Sequence, residues 1–223
     1  MSGAKTKGER LFYLQLSIKN NYTSRELERQ ISSSYYERYM LSNNTLSLTN
    51  EKMNEDHKDT KLMDTYSLEF LNLPEAFSEK DLKNAILKEL KKFILEIGKD
   101  FTYLGDEYRL QVGNHDYYID LLFYNRTLSC LVVFELKLGE YKPEYLGKMN
   151  FYLEALDRDI KKKNENPSVG IILCSTKDKD VVEYSMSRNM SKTLIAEYKL
   201  NLIDKKILKD KLKQVKEIYE IEE

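Results

Sequence analysis

YYIDLLFYNRTLSCLVVFELKLGEYKPEYLGKMNFYLEALD, residues 117–157, decides the fold. Its first part belongs to DYYIDLLFYN, 116–125, a stretch rich in aromatic and branched apolar residues that reads as a strand. LSCLVVFELKL, 128–138, holds the continuous apolar run expected of an interior strand. Helical spacing returns at PEYLGKMNFYLEALDRDIKKK, 143–163, and Pro143 suits a first helical turn. Strand, strand and helix in this order start an antiparallel pair and then leave it through a helical crossover.

Working outward, GNHD at 113–116 is a turn signal, and EYRLQV, 107–112, alternates as a strand before it. Further upstream, SEKDLKNAILKELKKFILEIG, 78–98, predicts one helix. Ser78 is its N-cap, Asp81 sits three residues on, and Gly98 is its C-cap. Downstream, VGIILCS at 169–175 predicts a buried strand, 178–190 a helix and TLIAEYKL at 193–200 another strand. A meander passing into α/β units gives an α/β fold, a mixed central sheet flanked by helices. Residues 9–41 predict a short helical pair, with Thr23 or Ser24 as a cap. SNNTLSLTNEKMNEDHKDTKLMD, 42–64, is polar and aperiodic and reads as a linker. The domain boundaries expected are a helical segment at 9–41, a linker at 42–65, the main domain at 66–203 and a charged helix at 204–223.

Composition narrows the function. The 223 residues carry 36 Lys plus Arg against 37 Asp plus Glu, a net charge of −1. A basic coat for nucleic acid is excluded, but an enzyme holding phosphates through a local patch or a metal ion is not. There is no apolar run of the ~18 residues that a membrane helix needs. The start has no cleavable apolar signal, so a cytoplasmic protein is expected. Cys130 and Cys174 lie in apolar runs and read as buried thiols. With only His57 and His115 besides, no zinc ligand set is present.

Two apolar strands carry charge where burial is expected. Asp120 interrupts YYIDLLFY, and VVFELKL places Glu135 and Lys137 two residues apart, on one face. Such charges are costly in an apolar sheet unless they are paired. Two adjoining carboxylates repel unless protonated or bridged by a cation. Mg²⁺ takes oxygen ligands of this kind, and a lysine beside it can orient a water and stabilise phosphoryl charge. The plain alternative is a salt bridge on a solvated sheet face. Helix 78–98 offers a further carboxylate, Glu89 or Glu96, which share a face. Glu89, one turn before Phe93, is the slightly preferred one, and a solvated helix flank remains the alternative. Gln111 is a candidate phosphate contact or an ordinary edge residue. Lys148 and Tyr152, at i,i+4, are candidates for clamping a DNA backbone, with Tyr152 as core the competing reading.

On these residues the chain resembles the PD-(D/E)xK nuclease superfamily. More narrowly, it is similar to a bacterial family whose C-terminal half is a PD-(D/E)xK nuclease domain. The words that match are 117–157, the helix end FILEIG and the strand YRLQVG. The resemblance spans about 66–200. It implies a restriction-endonuclease-like sheet and metal-dependent DNA cleavage with Mg²⁺ or Mn²⁺. Asp120 falls on the motif aspartate, Glu135 on the acid before x-Lys, and Lys137 on the lysine. The motif's proline is absent, since Ile119 precedes Asp120. The implied metal ligands are Asp120 and Glu135, with Lys137 beside them as a catalytic residue. A glutamate of the helix before the strands is implied as well, and the motif does not separate Glu89, the catalytic candidate taken from its position, from Glu96. Residues 22–41 resemble the end of the family's usually longer N-terminal helical domain. A shortened front is therefore expected, with 9–41 a remnant through which a homodimer or partner protein would form. The family's links to mobile elements and DNA defence come with the resemblance. The alternative function is an inactive DNA-binding or protein-assembly module on the same fold, consistent with a net charge that attracts little phosphate.

Overall fold

The computed structural model describes residues 6–42 and 62–220, with side chains through 214. Most of the expected linker and His57 lie outside the described residues. Three helices come first: α1 (Lys7–Asn20), α2 (Ser24–Ser32) and α3 (Tyr35–Leu41). The expected pair is thus a trio, because the chain breaks twice. Asn21, at φ 49, ends α1 in the left-handed conformation that Asn tolerates. Thr23 then opens α2 with a capping box. Its hydroxyl accepts from the Glu26 N–H, and the Glu26 carboxylate accepts from the Thr23 N–H. Ser34, at φ 55, separates α2 from α3.

The remaining elements are β1 (Thr65–Ser67), α4 (Glu79–Lys88), α5 (Leu90–Ile97), β2 (Phe101–Val112), β3 (His115–Asn125), β4 (Cys130–Leu136), α6 (Glu144–Ala155), β5 (Val169–Cys174), α7 (Lys179–Met186), β6 (Thr193–Lys199) and α8 (Lys205–Glu220). They form a mixed α/β fold of restriction-endonuclease-like architecture. Its six-stranded sheet has the order β1-β6-β5-β4-β3-β2. The strands from β1 to β4 in that order are parallel, while β3 and β2 run antiparallel. β1 escapes sequence reading because three residues are too few to show alternation. β2 starts earlier than expected, at Phe101, because Gly105, Asp106 and Glu107 blur its pattern and its register shifts between Tyr103 and Gly105.

The single helix expected over 78–98 is two. Glu89 leaves helical geometry at φ −107, ψ 29, and its carbonyl accepts from Lys92 in a tighter turn. The break lets α5 turn a broad face inward, with Phe93, Leu95, Glu96 and Ile97 all buried. Phe93 and Ile97 pack with Phe101, Phe123 and Phe134 on one side of the sheet, where Tyr13 and Tyr35 of the N-terminal helices join the same core. Ile119, Leu122, Val133 and Ile172 meet Met149, Tyr152 and Leu153 of α6 on the other. Each such side chain stabilises the fold by about 1.5–3 kcal/mol when fully buried.

Cys130 and Cys174 are buried free thiols. Burial pushes their pKa up to about 12 and about 11. On the far side of the N-terminal trio, Glu9 and Glu37 are buried and face Lys205 and Lys209 of α8. Among the described residues no helix is long and apolar enough to cross a membrane.

α6 sits close on β5 because residue 170 is glycine. A Cβ there would stand 2.4 Å from Met149 Sδ. Gly170→Val is expected to destabilise the protein by about 1–3 kcal/mol, the usual range for overpacking. Urea unfolding monitored by circular dichroism measures it.

Candidate active site

The β3–β4 ladder runs from Asn125–Cys130 to Leu121–Phe134. One step further, the same register sets Asp120 opposite Glu135. The ladder changes character there: the Leu136 N–H donates to Asp120 Oδ2 at 2.9 Å. The polar side chain thus satisfies a backbone donor that the next pair would otherwise take up. On the β2 side the pairs Asp106–Leu121 and Tyr108–Ile119 flank Asp120, and Glu107, between Asp106 and Tyr108, has φ 45. A non-glycine residue in that region is uncommon, and such strain gathers at functional sites.

Glu135 is 1% exposed and lies inside an entirely buried strand. Its Oε1 accepts from Lys148 at 2.5 Å and stands 2.9 Å from Lys137 Nζ. Its Oε2 is buried with no hydrogen-bond partner. A buried carboxylate oxygen left unpaired costs about 1–3 kcal/mol or more. Lys137 reaches a second carboxylate, Glu79, at 3.3 Å, and the Leu138 N–H donates to the other Glu79 oxygen at 3.3 Å. Glu79 is the first residue of α4, fixed there by the Ser78–Asp81 capping box. β3, β4, α4 and α6 therefore converge on one cluster: Asp120, Glu135, Lys137, Glu79 and Lys148.

Charge sets the protonation of this cluster. Burial raises the Asp120 pKa, and the Glu135 carboxylate raises it further, against the Leu136 N–H and the two lysines. For both lysines burial works against the charged form, but contact with Glu135 outweighs it and leaves the pKa raised. Both are ammonium ions at neutral pH. Lys137 can therefore orient a water and stabilise negative charge, but it is poorly suited to remove a proton.

The raised Asp120 pKa fixes a stability trend. A group whose pKa is raised by folding adds stability while protonated and loses that contribution as pH rises through its folded value. Asp120→Asn is therefore expected to raise the thermal midpoint without metal at neutral pH. The gain should fade as pH falls toward 3.8, the ordinary aspartate value. Thermal scans of both proteins in EDTA across pH 3.5–8 test this, and a gain that grows on acidification contradicts it.

The other predicted residues are placed as follows. Glu89 sits at the α4–α5 break, paired with Lys92 at 2.9 Å. Glu96 is fully buried among Arg38, Arg29 and the Ser67 N–H, where it fastens α5 to α2, α3 and β1. The helical carboxylate that meets Lys137 is Glu79, which spacing from the apolar stripe does not reveal because it precedes the stripe. Gln111 is exposed and pairs with Asp116 near the hairpin tip. Asp116 is four residues before Asp120, roughly 13 Å along the strand. Tyr152 is buried, and its hydroxyl donates to the Tyr118 carbonyl at 2.8 Å. It anchors β3 next to Asp120 and lies under the Lys148 ammonium, 5.2 Å from its ring centre. Among the described residues no group of three or more His, Cys, Asp or Glu is arranged to hold a metal ion.

The YhcG PDDEXK nuclease domain family matches residues 59–213. A protein of Escherichia coli (strain K12), described as "Putative nuclease YhcG", is 33% identical over 219 residues. These are 97% of this chain and 58% of that protein, so the chain spans little more than half of that relative's length. A repair endonuclease from Pyrococcus abyssi is similar with a TM-score of 0.40 at 16% identity, over 58% of this chain and 50% of that one. EndoMS in complex with double-stranded DNA gives 0.40 at 16% identity, over 56% and 48%. The family match takes in β3, β4 and every residue of the cluster from Glu79 to Lys148, and the chain belongs to the YhcG PDDEXK nuclease domain family.

Proposed function

We propose that this chain hydrolyses DNA phosphodiester bonds with Mg²⁺ or Mn²⁺ at Asp120, Glu135 and Lys137. One observation carries the reading: the buried Oε2 of Glu135 has no hydrogen-bond partner, and a second carboxylate, Asp120, adds to the repulsion there. A hard divalent ion accepts oxygen ligands of this kind and removes both penalties. When bound, the ion supplies Lewis-acid stabilisation of phosphoryl charge. The ligands would be the Asp120 carboxylate and Glu135 Oε2.

The residues of the chain do the remaining work. Lys137 and Lys148 offer ammonium N–H groups to phosphate oxygens where charge develops. Glu79 holds Lys137 from the side away from Glu135. Three carboxylates against two ammonium ions leave the cluster net negative, and one divalent ion makes it net positive, the sign that a phosphodiester requires. DNA as the substrate rests on family membership and on the nuclease description of the relative. The test is incubation of the purified chain with plasmid, branched and single-stranded DNA, in Mg²⁺, Mn²⁺ or EDTA. Cleavage with metal that is lost in Asp120→Asn supports the reading, and equal behaviour of the two proteins on all substrates overturns it.

Lys148 competes with the ion, because its ammonium sits 2.5 Å from Glu135 Oε1. Lys148→Gln is expected to tighten Mn²⁺ binding about five- to tenfold, roughly 1 kcal/mol. It should slow cleavage at saturating metal, because a phosphate contact is lost. Calorimetric titration with Mn²⁺ measures the first effect, and weaker binding contradicts it. The same contact favours a second reading, a non-catalytic module whose Glu135 is neutralised from within. Such a module binds DNA equally in EDTA and Mg²⁺ and tolerates Glu135→Gln.

A further inference from the structure

Gly147 lies within α6 and is exposed. Glycine weakens a helix relative to alanine, because its backbone loses more freedom on folding. A glycine inside a helix is therefore expected where the fold requires one. Gly170 on β5 meets that kind of requirement, since a Cβ there would run into Met149. Gly147 does not. Its φ is not positive, and a Cβ on it would meet nothing within 4 Å among the described residues. Alanine would fit there and would hold the helix better. The remaining physical use of the missing side chain is close approach by a molecule outside the chain.

The surroundings of Gly147 indicate which molecule. α6 meets the carboxylate cluster on either side of residue 147. The Tyr145 ring centre lies 5.5 Å from Lys137 Nζ, and Lys148 donates to Glu135 Oε1. Gly147 stands about 100° round the helix from Lys148, on the solvent side. One turn on is Phe151, whose ring centre is 4.6 Å from that of Tyr117 on β3. A DNA strand with a phosphate at Asp120 and Glu135 has to leave the cluster over one of its walls. On the α4 wall stands the half-exposed Glu79 carboxylate, which repels a polyanion. On the α6 wall stand the Lys148 ammonium and the gap at Gly147. Glu144, at the first position of α6, bounds that path from the other side.

We propose that one strand of the DNA substrate crosses α6 at Gly147, its sugar–phosphate backbone against the helix. The glycine then sets how closely the strand approaches the carboxylate cluster. The inference rests on DNA being the substrate, as proposed above, and adds where the strand lies.

The test compares Gly147→Ala and Gly147→Leu with the wild type. Both residues form helix better than glycine, so the thermal midpoints should rise by about 1–4 °C. DNA cleavage should fall in step with side-chain size, about tenfold for Ala and about a hundredfold for Leu, since a misplacement of about 1 Å can cost about 10²-fold. Binding of a fluorescein-labelled oligonucleotide, single-stranded or duplex, followed by anisotropy in Ca²⁺, should weaken in the same order. Unchanged cleavage by folded variants of an active wild type overturns the proposal and leaves the nuclease reading standing. A lowered thermal midpoint overturns it too, because the glycine would then serve the fold. A wild type that binds DNA without cutting it, and binds it less well in both variants, upholds the strand path and rejects the nuclease reading. A wild type that neither cuts nor binds DNA overturns both.

Discussion

Asp120→Asn is expected to lose about 10³-fold or more in Mg²⁺-dependent DNA cleavage while the protein becomes no less stable. The rate loss corresponds to ~4 kcal/mol of transition-state stabilisation, the several kcal/mol that a Lewis-acid cation supplies. Asn keeps the size of the side chain and an oxygen that can accept from the Leu136 N–H. It removes the charge that burial and Glu135 oppose, so the metal-free protein should melt at a higher temperature. Lost activity joined to gained stability marks a residue kept for chemistry and excludes unfolding as the cause. Divalent ion should raise the melting temperature of the wild type and leave the variant unmoved. Parallel cleavage and thermal scans measure both. A variant that loses activity by melting earlier would place Asp120 among the structural residues.

Arg38→Ala should produce the largest loss of stability. Arg38 and Glu96 are both buried, and their side chains form an ion pair. The guanidinium also donates to the Ser33 and Thr65 carbonyls and to the Ser33 hydroxyl, joining α2, α3 and β1. Burial alone would raise the Glu96 pKa, but Arg38 and Arg29 outweigh it and leave it lowered. Removing one partner of a buried pair costs about 3–5 kcal/mol because a charge is stranded in the core. For a protein of this size that lowers Tm by roughly 6–20 °C. Because the Glu96 pKa is lowered by folding, the stability from this cluster is present above the ordinary glutamate value of 4.5 and lost as pH falls below it. Calorimetric Tm values at pH 7 and in acid measure both effects. A loss under 1 kcal/mol would show that the cluster does not hold the N-terminal helices to the sheet.

The sequence carried the strands of the sheet interior and the pair of charged positions in them. Asp120 and Glu135 stand out because period-two alternation and apolar neighbours make a buried carboxylate an anomaly within its own strand. Position in a strand also implies their meeting, since β3 and β4 are joined by a short turn. The helical carboxylates were less legible. Face arguments show that a glutamate borders the apolar stripe, but not what waits across the interface. Glu96 meets Arg38, 58 residues earlier in the chain. Glu79 meets Lys137, 58 residues later. Neither encounter has a local pattern. The kink at Glu89 was hidden for a related reason, since no Pro or Gly marks it and the packing of α5 imposes it. Lys148 and Tyr152 were legible as neighbours on one helix face. Burial then separates them, with Tyr152 in the core under β3 and the Lys148 ammonium on Glu135.

The central claim is that Asp120 and Glu135 hold a divalent ion. Crystals soaked in Mn²⁺ and measured at its absorption edge test this most directly. An anomalous peak bonded to the Asp120 carboxylate and to Glu135 Oε2, and absent in Asp120→Asn crystals, is the predicted result. Fully soaked crystals with no peak between these two carboxylates would contradict it.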